Sequence, residues 1–158
     1  MNTDSLSPVW APRVLSVLSV LRIFTGLDLL QHGTGKVLGF PVVPMFANVQ
    51  INSLAGVGGL IELIGGILFT IGLFTRPVAF ILSGFTAAAY FMAHFPRGIY
   101  PALNGGDAAI LFCFIFLWLA TAGAGPFSVD AGRLQRLREP RPGDQRADRH
   151  ALRRRGGA

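Results

Sequence analysis

The sequence of 158 residues is poor in cysteine and in charged side chains. Its single cysteine, Cys113, excludes an intramolecular disulfide, a paired-cysteine redox motif and a metal site built from several thiolates. A membrane thiol oxidase that works through its own cysteine pair is therefore excluded. Charged residues make up 14% of the chain, whereas soluble domains usually contain about 25%. This deficit argues against an ordinary water-soluble domain.

Apolar residues are abundant instead, at 51% of the chain, and the mean hydropathy is +0.51. They concentrate in four stretches, each close to the roughly 20 residues that a helix needs to cross a bilayer. Open strands cannot cross, because lipid offers their backbone groups no hydrogen-bond partners. The sequence therefore predicts an all-α integral membrane four-helix bundle. The predicted transmembrane helices are residues 14–31, 54–74, 77–94 and 107–124.

Arginine is concentrated at the C-terminal end of the chain. Residues 132–158 hold nine arginines against three acidic residues, whereas residues 1–131 carry no net charge. We therefore divide the chain into a transmembrane domain, residues 1–131, and a basic tail, residues 132–158, whose composition predicts disorder. The tail has no interleaved aromatic residues, so we expect it to contact anionic lipid, and we expect no nucleic-acid partner.

The distribution of arginine also predicts the orientation in the membrane. An even number of spans places both termini on one side, and that side carries Arg13, Arg76 and the basic tail. The opposite side carries only Lys36 and Arg97. Positive charge favours the cytoplasmic side, so both termini are predicted to be cytoplasmic.

Several ionisable or polar residues lie within the apolar stretches or at their ends. Such groups are costly at membrane depth and mark functional sites by default. Helical spacing places them in stripes, and counting from the helix ends predicts that all four helices contribute to one polar pocket. The candidate pocket residues are Arg22, Asp28, His32, Glu62, Tyr90, His94 and Asp107.

Arg22 and Glu62 are predicted to form an ion pair inside this bundle. Arg22 lies ten residues below His32, and Glu62 lies eight residues below Leu54, so their depths are estimated as similar. Opposite charges that cannot reach water should pair with each other. A purely structural role is the alternative, because a buried polar pair can also fix the register of two helices.

Structural alternatives also apply to the other polar residues. Asp28 and His32 can form an interfacial hydrogen bond, and Asp107 can stabilise the positive end of the fourth helix. Two histidines at similar depth, His32 and His94, suit haem ligation in principle, but both lie at helix ends. We therefore predict no metal site.

The polar residues and glycines together resemble the DoxX family of small four-helix bacterial membrane proteins, over roughly residues 13–131. Members of that family usually have glutamate where this chain has Asp107, and the basic tail is not part of the pattern. The residues that carry the resemblance are Arg22, Gly26, His32-Gly33, Lys36, Glu62, Gly65-Gly66, Leu68, Gly72, Leu73, Thr75, His94, Asn104-Gly105-Gly106-Asp107, Gly123, Gly125, Ser128 and Asp130.

The resemblance implies a multi-pass protein of the bacterial plasma membrane that is linked to redox metabolism. Some relatives are subunits of quinone-reducing complexes, and others associate with oxidative-stress enzymes. The chain itself has no flavin, iron–sulfur or dinucleotide motif, so no self-sufficient catalytic or electron-carrier function is predicted, and electrons would come from a partner protein.

The leading hypothesis is an accessory membrane subunit of a redox or oxidative-stress system that holds a quinone or a similar lipid-soluble molecule. His32, His94 and Glu62 would exchange protons at the quinone head group. One alternative is a transporter of small solutes or protons, which would need an oligomer because four helices are few for alternating access. The other is a membrane scaffold whose tail recruits partners.

Overall fold

The computed structural model describes residues 10–138, and the described chain is helical without a strand. Two short 3₁₀ turns, Pro44–Phe46 and Phe95–Arg97, lie in the connections. A π-helical segment, Tyr90–His94, continues the third helix. The α-helices are α1 (Trp10–Val37), α2 (Leu54–Ile71), α3 (Thr75–Ala89), α4 (Pro101–Asn104), α5 (Asp107–Ala122) and α6 (Val129–Arg138).

Three helical segments within the described residues are long and apolar enough to cross a membrane. They are residues 13–37, 54–71 and 75–97. The fourth predicted span forms as α5, an apolar helix of 16 residues that is shorter than the other three. The all-helical prediction is thus confirmed. Four membrane crossings stay a prediction.

The first predicted helix is too short at its C-terminal end. The prediction ended it at Gln31, but α1 continues through Gly33 and Gly35 to Val37. Glycine weakens an isolated helix. Here a Cβ atom at Gly33 would overlap the backbone nitrogen of Leu63 on α2, so the absent side chain is what lets the two helices touch.

Helices α1 and α2 are antiparallel and pack closely through glycines on both sides. A Cβ atom at Gly26 would lie 2.9 Å from the backbone nitrogen of Thr70, and one at Gly66 would lie 3.0 Å from the Cα atom of Leu30. Small residues permit such backbone contact between helices, which lipid alone would not drive together. Helices α3 and α5 form the second closely packed pair.

A shared core joins the two pairs. Phe69 of α2 meets Phe116 of α5 edge-on, with ring centroids 4.9 Å apart. Leu82 of α3 fills the space beside Gly65 of α2, where an added Cβ atom would lie 2.7 Å from the leucine Cδ2 atom. The buried apolar residues are Leu18, Leu29, Phe69, Ala79, Leu82, Phe112, Phe116 and Leu119.

Substituting Gly33 with alanine should destabilise the α1–α2 pair, because the new methyl group meets the backbone at Leu63, which cannot rotate away. We expect the free energy of unfolding to fall by roughly 1–3 kcal/mol, the usual cost of overpacking. Gly84 is the matched control, since a Cβ atom there meets nothing within 4 Å. Thermal unfolding of both variants in one detergent tests this, and equal melting temperatures would contradict it.

The two ends of the bundle differ in the segments that connect the helices. The turn end holds the α2–α3 turn, residues 72–74, and the segment 123–128 that follows α5. The connection end holds residues 38–53, which join α1 to α2, and residues 95–106. The first of these connections folds back towards α1, where the ring centroid of Phe46 lies 6.1 Å from that of His32.

The predicted disorder of the basic tail is wrong for residues 132–138. These residues continue helix α6, which starts at Val129, and the Arg133 guanidinium lies 5.4 Å from the ring centroid of Phe74. Through this contact the first part of the tail packs against the α2–α3 turn. Residues 139–158 lie outside the described residues.

Deleting residues 133–158 should leave the stability of the bundle nearly unchanged. The side chains of α6 beyond Ala131 are exposed, and the one cation–π contact is worth about 0.5–1 kcal/mol at an exposed site. A shorter chain ending at Val129 would also lose Asp130, whose carboxylate accepts hydrogen bonds from the backbone at Phe74 and Thr75. Melting temperatures of the two truncations should therefore differ, and a large loss from the first deletion alone would refute this.

Candidate functional site

Lys36 and Glu62 form a buried ion pair at the connection end. The lysine Nζ atom lies 2.7 Å from both carboxylate oxygens of Glu62, and the two side chains are 17% and 9% exposed. Lys36 occupies the last turn of α1, where a cation is favoured by the helix dipole. The absence of a side chain at Gly59 makes room for it, because a Cβ atom there would lie 2.8 Å from the Cβ atom of Lys36.

The ring of Phe46 lies beside this ion pair and links it to His32. The Lys36 Nζ atom lies 5.2 Å from the ring centroid of Phe46, within cation–π range. His32, one helical turn before Lys36, contacts Phe46 and meets Phe112 of α5 edge-on at 6.3 Å. A cavity of about 220 Å³ lies between the end of α1 and the connection, and both Lys36 and Phe46 line it.

A second polar cluster lies where α3 passes into the π-helical segment. The rings of Tyr90 and His94 stack at 6.3 Å, and the His94 Nδ1 atom lies 3.2 Å from the carbonyl oxygen of Asn104. The Asn104 amide donates to the carbonyl of Gly98 at 2.7 Å, and its side-chain oxygen accepts from the backbone of Gly106 at 2.8 Å. Single π-helical turns are frequent at functional sites.

Arg22 lies at the opposite, turn end of the bundle. Its guanidinium is fully buried and donates hydrogen bonds to four backbone carbonyls. Phe69 and Thr70 supply two of them from the last turn of α2, where the helix dipole favours a cation. Ala124 and Phe127 supply the others from the segment after α5. Arg22 therefore ties that segment to the end of α2.

The predicted Arg22–Glu62 ion pair is wrong. The prediction assumed that His32 and Leu54 lie at the same depth in the membrane. Helix α1 instead continues past His32 to Val37, so the two helix ends are offset along the bundle axis. In the actual register Gly33 lies against Leu63, so Glu62 faces the last turns of α1. Arg22 lies eleven residues before Gly33 on α1, which is about 16 Å along the helix at 1.5 Å per residue. Glu62 therefore pairs with Lys36, and Arg22 donates to backbone carbonyls instead.

The seven predicted pocket residues are divided among several places. Glu62 pairs with Lys36, His32 lies one turn before Lys36 against Phe46, and Tyr90 and His94 meet beside Asn104. Asp28 is exposed on α1, and Asp107 is exposed in the first turn of α5, the position that suits a helix-stabilising carboxylate. Among residues 10–138, no three histidine, cysteine or acidic side chains cluster as potential metal ligands.

Lys36, Phe46 and Asn104 contribute to these clusters, although the polar-residue argument did not select them. For Lys36 a signal existed, since it is the chain's single lysine and follows His32 by one helical turn. Lys36 was not selected because its charge was interpreted only as evidence for the orientation in the membrane. For Phe46 no signal existed, because its position depends on how the connection folds back.

Residues 10–138 are helical, and three of their helices are long and apolar enough to cross a bilayer, with a buried ion pair between two of them, which is typical of a helical membrane protein. The model of the DoxX family matches residues 17–95, and an uncharacterized protein of Haemophilus influenzae is 40% identical over 117 residues, which cover 72% of this chain and 87% of that protein. The chain belongs to the DoxX family. No solved structure matches it.

Proposed function

We propose that the protein is an accessory membrane subunit of a redox or oxidative-stress system and that it holds a quinone or a similar lipid-soluble molecule at the connection end. The observation that carries this proposal is the buried Lys36–Glu62 pair, which lies under the ring of Phe46. An ion pair inside an apolar bundle is costly, so its placement beside a cavity favours a binding role.

The residues at this site suit a quinone head group. The Lys36 ammonium is a hydrogen-bond donor for a carbonyl oxygen, and the ring of Phe46, which also lines the cavity, offers a face for an aromatic ligand. Glu62 and His32 are groups that can take up or release a proton as the ligand's charge changes. A bound quinone would supply two-electron redox chemistry. The electrons would come from a partner protein, because the sequence has no motif for a carrier of its own.

The cavity beside Lys36 limits how much of such a ligand can be enclosed. Ligand pockets usually measure about 300–1,000 Å³, and this one measures about 220 Å³. A single ring fits this volume better than a whole lipid-soluble molecule, and the apolar tail would then lie along the lipid-exposed surface. Exposed apolar residues of the connection, including Val42 and Met45, provide that surface.

Binding of a short-chain ubiquinone to the protein in lipid nanodiscs tests the proposal. We expect saturable binding that weakens at least about tenfold, or ~1.4 kcal/mol, in the Glu62→Gln and Lys36→Met variants. Asp28→Asn, an exposed position on α1, is the matched control and should bind like the unaltered protein. Non-saturable partitioning that is equal in all four proteins would refute quinone binding.

A parallel experiment separates this proposal from a scaffold. The protein is purified in mild detergent, and its partners and extracted lipids are identified by mass spectrometry. A co-purified quinone supports the proposed ligand. A stable protein partner without any small molecule supports the scaffold and counts against the quinone.

We also propose that α1, α2, α3 and α5 all cross the plasma membrane and that both termini are cytoplasmic. The fusion test has a clear expectation. Alkaline phosphatase, which is active only outside the cytoplasm, should be inactive when fused after residue 158 and active when inserted into residues 38–53. Green fluorescent protein at the C-terminus should fluoresce. The reverse pattern of activity would overturn the orientation.

A further inference from the structure

A cavity at the turn end has no part in the proposed quinone site. It measures about 480 Å³, opens to the surface and is lined by the first turn of α3, residues 122–125 and the start of α6. Much of its wall is apolar or backbone, with Ala122, Gly123 and Pro77 among the lining residues. A cavity of this size is within the usual range for a small-molecule site.

Two arginines line this cavity. Arg76 projects from the first turn of α3 and lies over Gly123, where an added Cβ atom would be 3.4 Å from the arginine Nε atom. Arg133 projects from α6 and stacks near Phe74. Within residues 10–138, neither guanidinium has a carboxylate within 4.0 Å. Their donors are therefore available to an anion.

Asp130 is the one acidic residue between positions 10 and 138 that lines the cavity, and its oxygens are already engaged. Oδ1 accepts from the backbone nitrogen of Phe74 at 2.9 Å, and Oδ2 accepts from that of Thr75 at 2.8 Å. This carboxylate therefore neutralises the N-terminal end of α3 rather than either arginine. The cavity is left with an excess of positive charge.

Thr75 adds an independent indication of a missing partner. It is 1% exposed and belongs to the cavity wall, yet its hydroxyl group makes no hydrogen bond within the described chain. Buried polar groups nearly always have a partner, and each exception calls for an explanation. Thr75 lines the same cavity as Arg76 and Arg133, and a hydroxyl group and guanidinium groups are donors that suit the oxygen atoms of a phosphate.

We propose that this cavity binds the phosphate headgroup of an anionic phospholipid. Arg76 and Arg133 would hold the phosphate, with the Thr75 hydroxyl as a further donor. The cavity lies at the end of membrane-crossing helices, and its apolar lining and the exposed ring of Phe74 suit acyl chains better than a free phosphate ion. Basic residues beside a transmembrane helix attract anionic lipids on the cytoplasmic side, which agrees with the orientation proposed above.

The proposal differs from the expectation for the basic tail, because it assigns a built site to residues before position 135. A tail of exposed arginines would attract any anionic surface in proportion to its charge. A site requires two particular arginines and discriminates between headgroups. This difference is what the experiment measures.

Native mass spectrometry of the full chain with added phosphatidylglycerol or phosphatidylcholine tests the site. We expect phosphatidylglycerol to bind saturably and more tightly than phosphatidylcholine. The double variant Arg76→Gln/Arg133→Gln should bind phosphatidylglycerol at least about tenfold more weakly. Arg136→Gln/Arg138→Gln is the matched control, since it removes the same charge from exposed positions one turn further along α6, and its affinity should stay within about twofold.

Three outcomes would overturn the proposal. Equal losses in the two double variants would show a diffuse attraction, and equal binding of both lipids would show that the anionic headgroup is not recognised. Displacement of the lipid by millimolar inorganic phosphate would show a site for a soluble anion.

Thr75→Val is a second variant that separates binding from folding. Removing a buried hydroxyl without a partner should not lower the melting temperature, because the loss leaves no other group unsatisfied. Its affinity for phosphatidylglycerol should nevertheless fall, by about threefold or more. Unchanged affinity in Thr75→Val would remove this residue from the site, and unchanged affinity in the Arg76/Arg133 variant would refute the site altogether.

Discussion

Replacing Arg22 with methionine is expected to destabilise the protein more than any other single arginine substitution in the described chain. The guanidinium donates to carbonyls of Phe69, Thr70, Ala124 and Phe127, and it is fully buried. The Phe69 carbonyl would still accept from the backbone nitrogen of Gly72, but methionine would leave the other three acceptors without the arginine donor in an apolar environment. Each buried group that loses its partner costs about 1–3 kcal/mol, so we expect a loss of at least ~3 kcal/mol in the free energy of unfolding.

The matched controls for this prediction are Arg97→Met and Arg22→Lys. Arg97 is exposed at the connection end, and its removal should leave the melting temperature nearly unchanged. Lysine preserves the charge of Arg22, but one ammonium group cannot reproduce the planar set of donors that reaches two separate segments, so rescue should be partial. Denaturant unfolding in a fixed detergent measures all three. Full stability of Arg22→Lys would show that charge alone suffices.

The wrong pairing of Arg22 with Glu62 shows which features of this fold can be predicted from the sequence. Hydropathy predicted four apolar helices where α1, α2, α3 and α5 form, although α1 ends six residues later than predicted, because a stretch long and apolar enough to cross lipid can be counted in a sequence. The partners of the buried charges depend on the register between α1 and α2. An error of a few residues at one helix end displaced the predicted position of Glu62 along α1 by several turns. That register is set by contacts such as Gly33 against Leu63, which involve backbone from both helices.

Other parts of the candidate sites were beyond prediction for a related reason. Phe46 reaches Lys36 only because residues 38–53 fold back over the end of α1. Asp130 caps α3 from a position 55 residues further along the chain. Neither segment has a hydrophobic period that would fix its path, so nothing in the sequence stated where it would lie. The polar residues themselves could be selected from the cost of placing them in lipid.

Breaking the Lys36–Glu62 pair is expected to have the second large effect on stability. Glu62→Met leaves an ammonium group, and Lys36→Met leaves a carboxylate, in a site where both side chains are mostly shielded from water. Removing one partner of a buried pair typically costs about 3–5 kcal/mol. We expect each single variant to lose stability on this order, as measured by denaturant unfolding. The exposed Asp28→Asn variant should lose little.

The double variant Lys36→Met/Glu62→Met distinguishes a structural pair from a binding site. With neither charge left, most of the lost stability should return, because apolar side chains of similar volume often replace a buried ion pair without cost. If the pair exists only to fix the register of α1 on α2, the double variant should retain quinone binding. If the charges bind the head group, the double variant should be stable and should not bind. A double variant as unstable as the sum of the single variants would show that the two residues do not act as a pair, in contradiction to the 2.7 Å contact between them.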